Sequence, residues 1–434
     1  MNSTPLDDIL AALSPQNWDE IEVYHKQGRS RTFRLGPRSE TTSLQEEEGW
    51  AVRAGDRRRS FFFAASGPPT PDTPWPEADG EGLRLPSAKL VTAWQAPSDL
   101  DLPLIGENEA RGLLESLRRA LDTELPGARL TLAILEDGSS QSQLVSSRDI
   151  RCEVRQRAAS LLVEAVGAKG GRITQQLIGR DARRFSPSSF ASRLADRLLV
   201  LERGAGAQRD RSEMLLAPPV VVALLAALAP FWIGPKALER TAPLVHRNGR
   251  IGCRQLTLID NGRLPGGLFE APVDGEGQPS RSVTLVEEGI YRQPLLAWWQ
   301  DATDRGQPSG CCRRASWRDL PRPGVTHFYL RPDAKRSVAS LLEDTIRGYY
   351  VLDIEGRPRI DFEAGRFAIP ICGFAVAGGR ATGSVKETWL TGTLSSFLNG
   401  ILDVGRDLTF LPALGGLVGS PTLRVKGLEL RPNP

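Results

Sequence analysis

Pro219-Val220-Val221-Val222-Ala223-Leu224-Leu225-Ala226-Ala227-Leu228-Ala229-Pro230-Phe231-Trp232 lies inside the longest apolar run of the chain, Met214 to Ile233, and its punctuation decides how that run folds. Pro218, Pro219 and Pro230 leave about ten uninterrupted residues, roughly half of what a membrane-spanning helix needs. A segment that short reads as a buried core helix. It contains no histidine, glutamate or other metal ligand.

Downstream of this helix the text is rich in strand and turn signals. Asp260-Asn261-Gly262, Asp274-Gly275-Glu276-Gly277, Glu288-Gly289, Gly378-Gly379 and Gly415-Gly416 punctuate short apolar segments at intervals suited to an antiparallel sheet or open barrel. One helix, Ser337 to Arg347, is expected to interrupt them. Gly204-Ala205-Gly206-Ala207 marks a boundary upstream, which divides the chain into residues 1–205 and 206–434.

The first part mixes both periods. Pro5 to Leu13 reads as a short helix. Ile21 to His25, Arg31 to Arg34, Thr41 to Gln45, Gly49 to Arg53 and Ser60 to Ala64 read as strands of an antiparallel meander. Gly67 to Gly82 is a Pro, Gly and Asp-rich loop. Asn108 to Leu121 carries leucines at helical spacing, and Ser186 to Gly204 is a second amphipathic helix with Ser186 or Ser188 as its cap. Strand-like text fills Arg129 to Leu135, Ser142 to Ser146 and Glu153 to Glu164. The expected fold class is α+β: an antiparallel sheet with flanking helices, then a mostly antiparallel, open barrel-like β domain around a buried helix.

Composition fits a folded chain without a polyanionic partner. The chain has 434 residues, 40% apolar, with a net charge of +3. That length supports a sizeable core and more than one domain. Arg57-Arg58-Arg59 and Arg151, Arg155 and Arg157 are interleaved with acids, which marks solvated faces and not a nucleic-acid surface. Five cysteines, odd in number and widely spaced apart from the adjacent Cys311-Cys312, and an amino terminus without a basic, then apolar, leader point to a cytoplasmic protein.

From Ala217 to the end, an ordered series of short signals resembles the TldD/PmbA family, whose TldD and TldE (PmbA) members pair into a zinc-dependent peptidase. The series runs Asp274-Gly275-Glu276-Gly277-Gln278-Pro279, Leu285-Val286-Glu287-Glu288-Gly289, Arg313-Arg314 before Pro321-Arg322-Pro323, and Gly365-Arg366-Phe367. It continues through the Gly378-Gly379 hairpin and Asp403-Val404-Gly405-Arg406-Asp407 to Gly419-Ser420-Pro421-Thr422-Leu423-Arg424-Val425. Glu22-Val23-Tyr24 and Gly49-Trp50-Ala51-Val52-Arg53 are similar to the family's opening strands.

The resemblance implies a vacant site. Active subunits carry His-Glu-x-x-x-His on the first helix of the second domain and a cysteine before the final strand. By register those positions fall at about Ala226, Ala227 and Phe231, and the loop from Leu411 to Val418 has no cysteine. Zinc needs three protein ligands and an open position, with a glutamate beside it to take a proton from water. The implied protein is a TldE-like subunit with no catalytic residue, metal or cofactor of its own. Zinc belongs to a TldD-like partner bearing His-Glu-x-x-x-His, and the substrates are small or unfolded peptides, precursor peptides among them, held along an exposed sheet edge. The assembly is a heterodimer, or a homodimer where no partner is present. The alternative is a self-associating peptide-binding or scaffold protein with no proteolytic role.

Other candidates have plainer readings. His246, His327, Cys253, Cys311, Cys312 and Cys372 lack paired ligand spacing. Cys311-Cys312 reads as one buried thiol beside one partly exposed thiol, with redox sensing or metal binding as the open alternatives. Asp274 and Glu276 sit in a Gly-flanked turn where acids bond locally, in preference to an acid/base pair. Gly415 to Ser420 reads as a tight turn. Trp232, Trp298, Trp299 and Trp389 are core groups in a monomer and interface groups in an obligate subunit.

Overall fold

The computed structural model describes residues 6–14, 18–73, 76–77, 82–87, 95–245, 247–301 and 309–432. Its first half is one antiparallel sheet. The strands are β1 (Glu20–Leu35), β2 (Glu40–Gly55), β3 (Ser60–Ala65), β4 (Arg129–Ser146), β5 (Arg151–Val166) and β6 (Arg172–Gly179), in the order β3-β2-β1-β4-β5-β6. The short strands expected from alternation fuse into long ones. Glu20 pairs with Gly55 and Leu35 with Glu40, without interruption between them. Alternation fails in the middle because Lys26 to Arg31 and Gln45 to Glu48 are polar on both faces, yet the antiparallel partners continue the ladder.

Three helices cover this sheet. α1 (Leu6–Leu13) sets Ile9, Leu10 and Leu13 against Ile21, Val23 and Val52. α2 (Glu107–Glu124) and α3 (Pro187–Arg203) pack on each other and bury Leu114, Leu117, Phe190, Leu194 and Leu198 over Leu135, Leu161 and Val163. Each such side chain contributes about 1.5–3 kcal/mol when fully buried. Ser186 caps α3 by accepting from the Ser189 amide, as expected.

The second half in chain order comprises β7 (Glu213–Leu216), β8 (Leu258–Asn261), β9 (Ser282–Glu287), β10 (Ile290–Tyr291), β11 (Cys312–Arg313), β12 (Arg322–Pro323), β13 (His327–Leu330), β14 (Arg347–Ile354), β15 (Arg359–Asp361), β16 (Arg366–Ala377), β17 (Arg380–Thr393), β18 (Ile401–Val404), β19 (Thr409–Ala413), β20 (Gly416–Ser420), β21 (Leu423–Val425) and β22 (Glu429–Pro432). One sheet runs β10-β9-β8-β13-β20-β19 and the other β18-β21-β7-β14-β16-β17-β22, with β15 paired to β16. Two pairs, β7 with β14 and β13 with β20, are parallel in an otherwise antiparallel scheme.

The helices of this half are α4 (Pro218–Leu228), α5 (Ala237–Thr241), α6 (Val338–Glu343) and α7 (Leu394–Gly400). The expected helix from Ser337 to Arg347 is shorter than its sequence suggested. Ser337 caps α6, Glu343 ends it, and Arg347 already starts β14 because its neighbours pair with β7 and β16. No helix among the described residues is long and apolar enough to cross a membrane.

Candidate functional site

Helix α4 begins with Pro218 and Pro219 in its first turn, where a missing N–H leaves no bond unmade. It buries Val220, Val221, Leu224, Leu225 and Leu228 in the core of the second half and packs against β14 and the β19–β20 hairpin. Ala226 touches the same core as Leu411 and Ala413, so the helix and the loop region singled out in the sequence do meet in space. Phe231 is not on α4. Pro230 has no amide to continue the ladder, and residues 229–231 form a separate 3-10 turn, with the Phe231 ring 6.4 Å from Trp232 and 6.2 Å from Phe362. Methyl and phenyl groups offer zinc no lone pair, and the residues at this place do not fit the metal.

The soft ligands are scattered. Among the described residues, no group of three or more His, Cys, Asp or Glu is placed to hold a metal ion. His246 lies outside the described residues. His327 on β13 is fully buried, with Nδ1 2.8 Å from the Asn261 carbonyl and Nε2 3.2 Å from the Phe269 amide. These partners fix one neutral tautomer: Nδ1–H donates and Nε2 accepts. Burial pushes the ring down to about 4. Cys311 and Cys312 are both 1% exposed, which corrects the expected division into a buried and a partly exposed thiol. Burial raises both thiols well above their ordinary range, so neither supplies a thiolate.

Buried ionic groups gather where the two halves meet, and the sequence did not foretell them. Arg53 on β2 binds Glu22 on β1 through two bonds, Nε to Oε1 at 2.9 Å and Nη2 to Oε2 at 2.6 Å. It also reaches Glu276 at 3.3 Å. Arg314 completes the cluster by pairing with Glu22 and donating to the Gly275 carbonyl at 3.1 Å. Two cations and two anions balance there. Burial opposes ionisation of Glu22, yet Arg53 and Arg314 together hold it below its usual value, whereas burial dominates at Glu276 and raises it.

The Asp274 turn is local, as expected, but it is not a surface turn. Asp274 Oδ1 accepts from the Glu276 and Gln278 amides at 2.9 and 3.0 Å, and Oδ2 from the Cys312 amide at 3.0 Å. Gly277 sits there at φ 75°, with Ile150 of the first half only 2.6 Å from where a Cβ would stand. Gly49 on β2 plays the matching part, because Trp317 lies flat on it 2.0 Å from a hypothetical Cβ. A second expectation also fails. Arg157 is no solvated charge but is fully buried, paired with Asp137 at 2.8 Å and bonded to the carbonyls of Pro103 and Arg180.

Comparison with known proteins gives one consistent neighbourhood. Residues 209–431 match the family model described as the PmbA/TldA metallopeptidase C-terminal domain. A metalloprotease TldD homolog of Buchnera aphidicola is 24% identical over 192 residues, covering 42% of this chain and 39% of the relative. A zinc metalloprotease TldD homolog of Saccharolobus solfataricus is 27% identical over 198 residues, covering 42% of this chain and 43% of the relative. The matches thus span about two-fifths of those curated relatives. In fold, the chain is similar to the crystal structure of TldE from Thermococcus kodakarensis, with a TM-score of 0.85 at 16% identity over 98% of this chain and 99% of the other.

Proposed function

On the premise that this chain belongs to the PmbA/TldD metallopeptidase family, we propose that it is a non-catalytic, TldE-like subunit that completes a zinc peptidase with a TldD-like partner. One observation carries this: where the family's His-Glu-x-x-x-His maps, α4 and the turn after it carry Ala226, Ala227 and Phe231, with Ala226 and Phe231 against the apolar core, and the β19–β20 hairpin that packs on α4 has no cysteine. In this reading the partner contributes the metal, its histidines and the proton-accepting glutamate. Residues 1–205 and 206–434 act as two domains, the second carrying the vacated site.

The contribution of this chain is to wall and hold. A polar trough of about 300 Å³ crosses one face of the first sheet, lined by Lys26, Ser30, Gln45, Glu47, Ser140 and Gln156. The central strands β1 and β4 beneath it are paired on both sides, so an extended peptide lying there would bond through its main chain to these side-chain amides, hydroxyls and charges. The five cysteines are free thiols, which supports a cytoplasmic setting. The test is to purify the tagged chain from its own host and identify what accompanies it. A stoichiometric chain bearing His-Glu-x-x-x-His is expected. Recovery of the chain alone, self-associated, would replace this reading with that of a peptide-binding scaffold.

A further inference from the structure

A second cleft, of about 100 Å³, opens between the first sheet and the segment around Arg313. Water occupies ~30 Å³ per molecule, so the space suits a carboxylate on a short stem. Its charged lining is Lys26, Asp274, Arg313 and Arg314, with the hydroxyls of Ser140 and Ser142 beside them; Glu22 already pairs with Arg314, which leaves Lys26 and Arg313 as its cations without an ion pair among the described residues. Among the described residues Asp274 forms no ion pair with them; both its oxygens accept backbone amides, and burial with the nearby Glu276 raises its carboxyl to about 7.

The cations are left with unused donors. Arg314 is 3% exposed and its Nε and Nη2 are bonded, but its buried Nη1 has no partner. Arg313 stacks its guanidinium over the Phe269 ring at 4.6 Å, and its closest electrostatic relief is Asp260, with no carboxylate of the described residues in ion-pair contact. A buried guanidinium with donors unpaired is costly, and such a group in a cleft wall calls for an acceptor from outside. Arginine's fork matches a planar carboxylate in particular.

The position narrows the source. Lys26, Ser140 and Gln156 line this cleft and also the trough across the first sheet. The two spaces are therefore continuous, and a chain extended along the trough ends at the arginines. We propose that this cleft binds a carboxylate, namely the free C-terminus of a peptide held on the first sheet. The inference rests on the peptide-holding function above and adds polarity to it: the peptide lies with its C-terminus toward Arg313 and Arg314.

The experiment is calorimetric titration of the purified chain with N-acetylglycine, with N-acetylglycinamide and with inorganic phosphate, for the wild type, Arg313→Gln and Lys26→Gln. Saturable binding of N-acetylglycine at least ~10-fold tighter than its amide is expected, the scale of one charge-assisted hydrogen bond. Arg313→Gln should abolish that preference. Lys26→Gln, at a half-exposed position with no ion pair among the described residues, should reduce it while leaving the fold intact, as read by circular dichroism. Equal binding of acid and amide, binding of phosphate without N-acetylglycine, no binding at millimolar concentrations, or a preference indifferent to both substitutions would overturn the proposal. The titration requires neither partner nor turnover. Its failure leaves the subunit assignment standing, and an independently active chain would refute that assignment without touching this result.

Discussion

At the scale of single residues, the acids buried in this protein are governed by their surroundings more than by their type. Asp260 is 2% exposed and accepts from the Thr326 amide at 2.7 Å, but burial outweighs that bond and the nearby Arg313, raising the carboxyl to about 7. Its folded value lies above the ~3.9 of an unfolded chain. Its contribution to stability is therefore full below that lower value and is lost as pH rises through about 7. Asp260→Asn cannot ionise. Relative to the wild type, it should gain on the order of 2–3 kcal/mol between pH 5 and pH 8, measured by denaturant unfolding at both pH values. A constant difference would show that Asp260 is charged throughout. Arg157 teaches the same lesson for sequence reading: beside Arg151 and Arg155 it looked like one more surface charge. Only the fold reveals that Asp137 and the carbonyls of Leu102, Pro103 and Arg180 surround it. No local pattern distinguishes a paired buried arginine from a solvated one.

At the scale of elements, patterns with a period were legible and pairings between distant segments were not. α2 and α3 announced themselves by their leucine spacing, and the buried α4 by its prolines, because these signals are local to the helix. The long strands β1, β2 and β4 were read as fragments, since their middle residues are polar on both faces and only the neighbouring strands keep them extended. α6 was overextended because Arg347 and its successors answer to β7 and β16. The parallel pairings gave no signal at all. The vacancy on α4 was legible as missing residue types, but the turn that carries Phe231 away from the helix was not. Restoring His, Glu and His at Ala226, Ala227 and Phe231 should therefore yield no peptidase activity in this chain alone. It should also destabilise the core by about 2–4 kcal/mol through loss of the buried ring and burial of polar groups. Peptide turnover and thermal unfolding of the triple variant check both statements.

At the scale of the whole molecule, the two halves are joined by a balanced ionic cluster and by Trp317 seated on Gly49. Removing one member of such a cluster exposes the cost of burying the others. Arg53→Met should lower stability by ~3–5 kcal/mol, because Glu276 then lies buried without its cation. Adding Glu276→Met should recover part of the loss, and a double-mutant cycle in urea would measure the coupling. Strictly additive effects would mean that the cluster does not act as a unit. The same junction forms the cationic cleft, so the architecture that joins the halves also shapes a surface on which a peptide can rest.

The proposed role, completing a peptidase whose metal chemistry lies in a partner, stands or falls on zinc and turnover. Its most direct test is to measure bound zinc and peptide turnover for the purified chain, for its TldD-like partner, and for the two titrated together. The chain alone should bind no stoichiometric zinc and cleave nothing, and turnover should rise to saturation at an equimolar mixture with one zinc per pair. Stoichiometric zinc and peptide cleavage by this chain alone would contradict it.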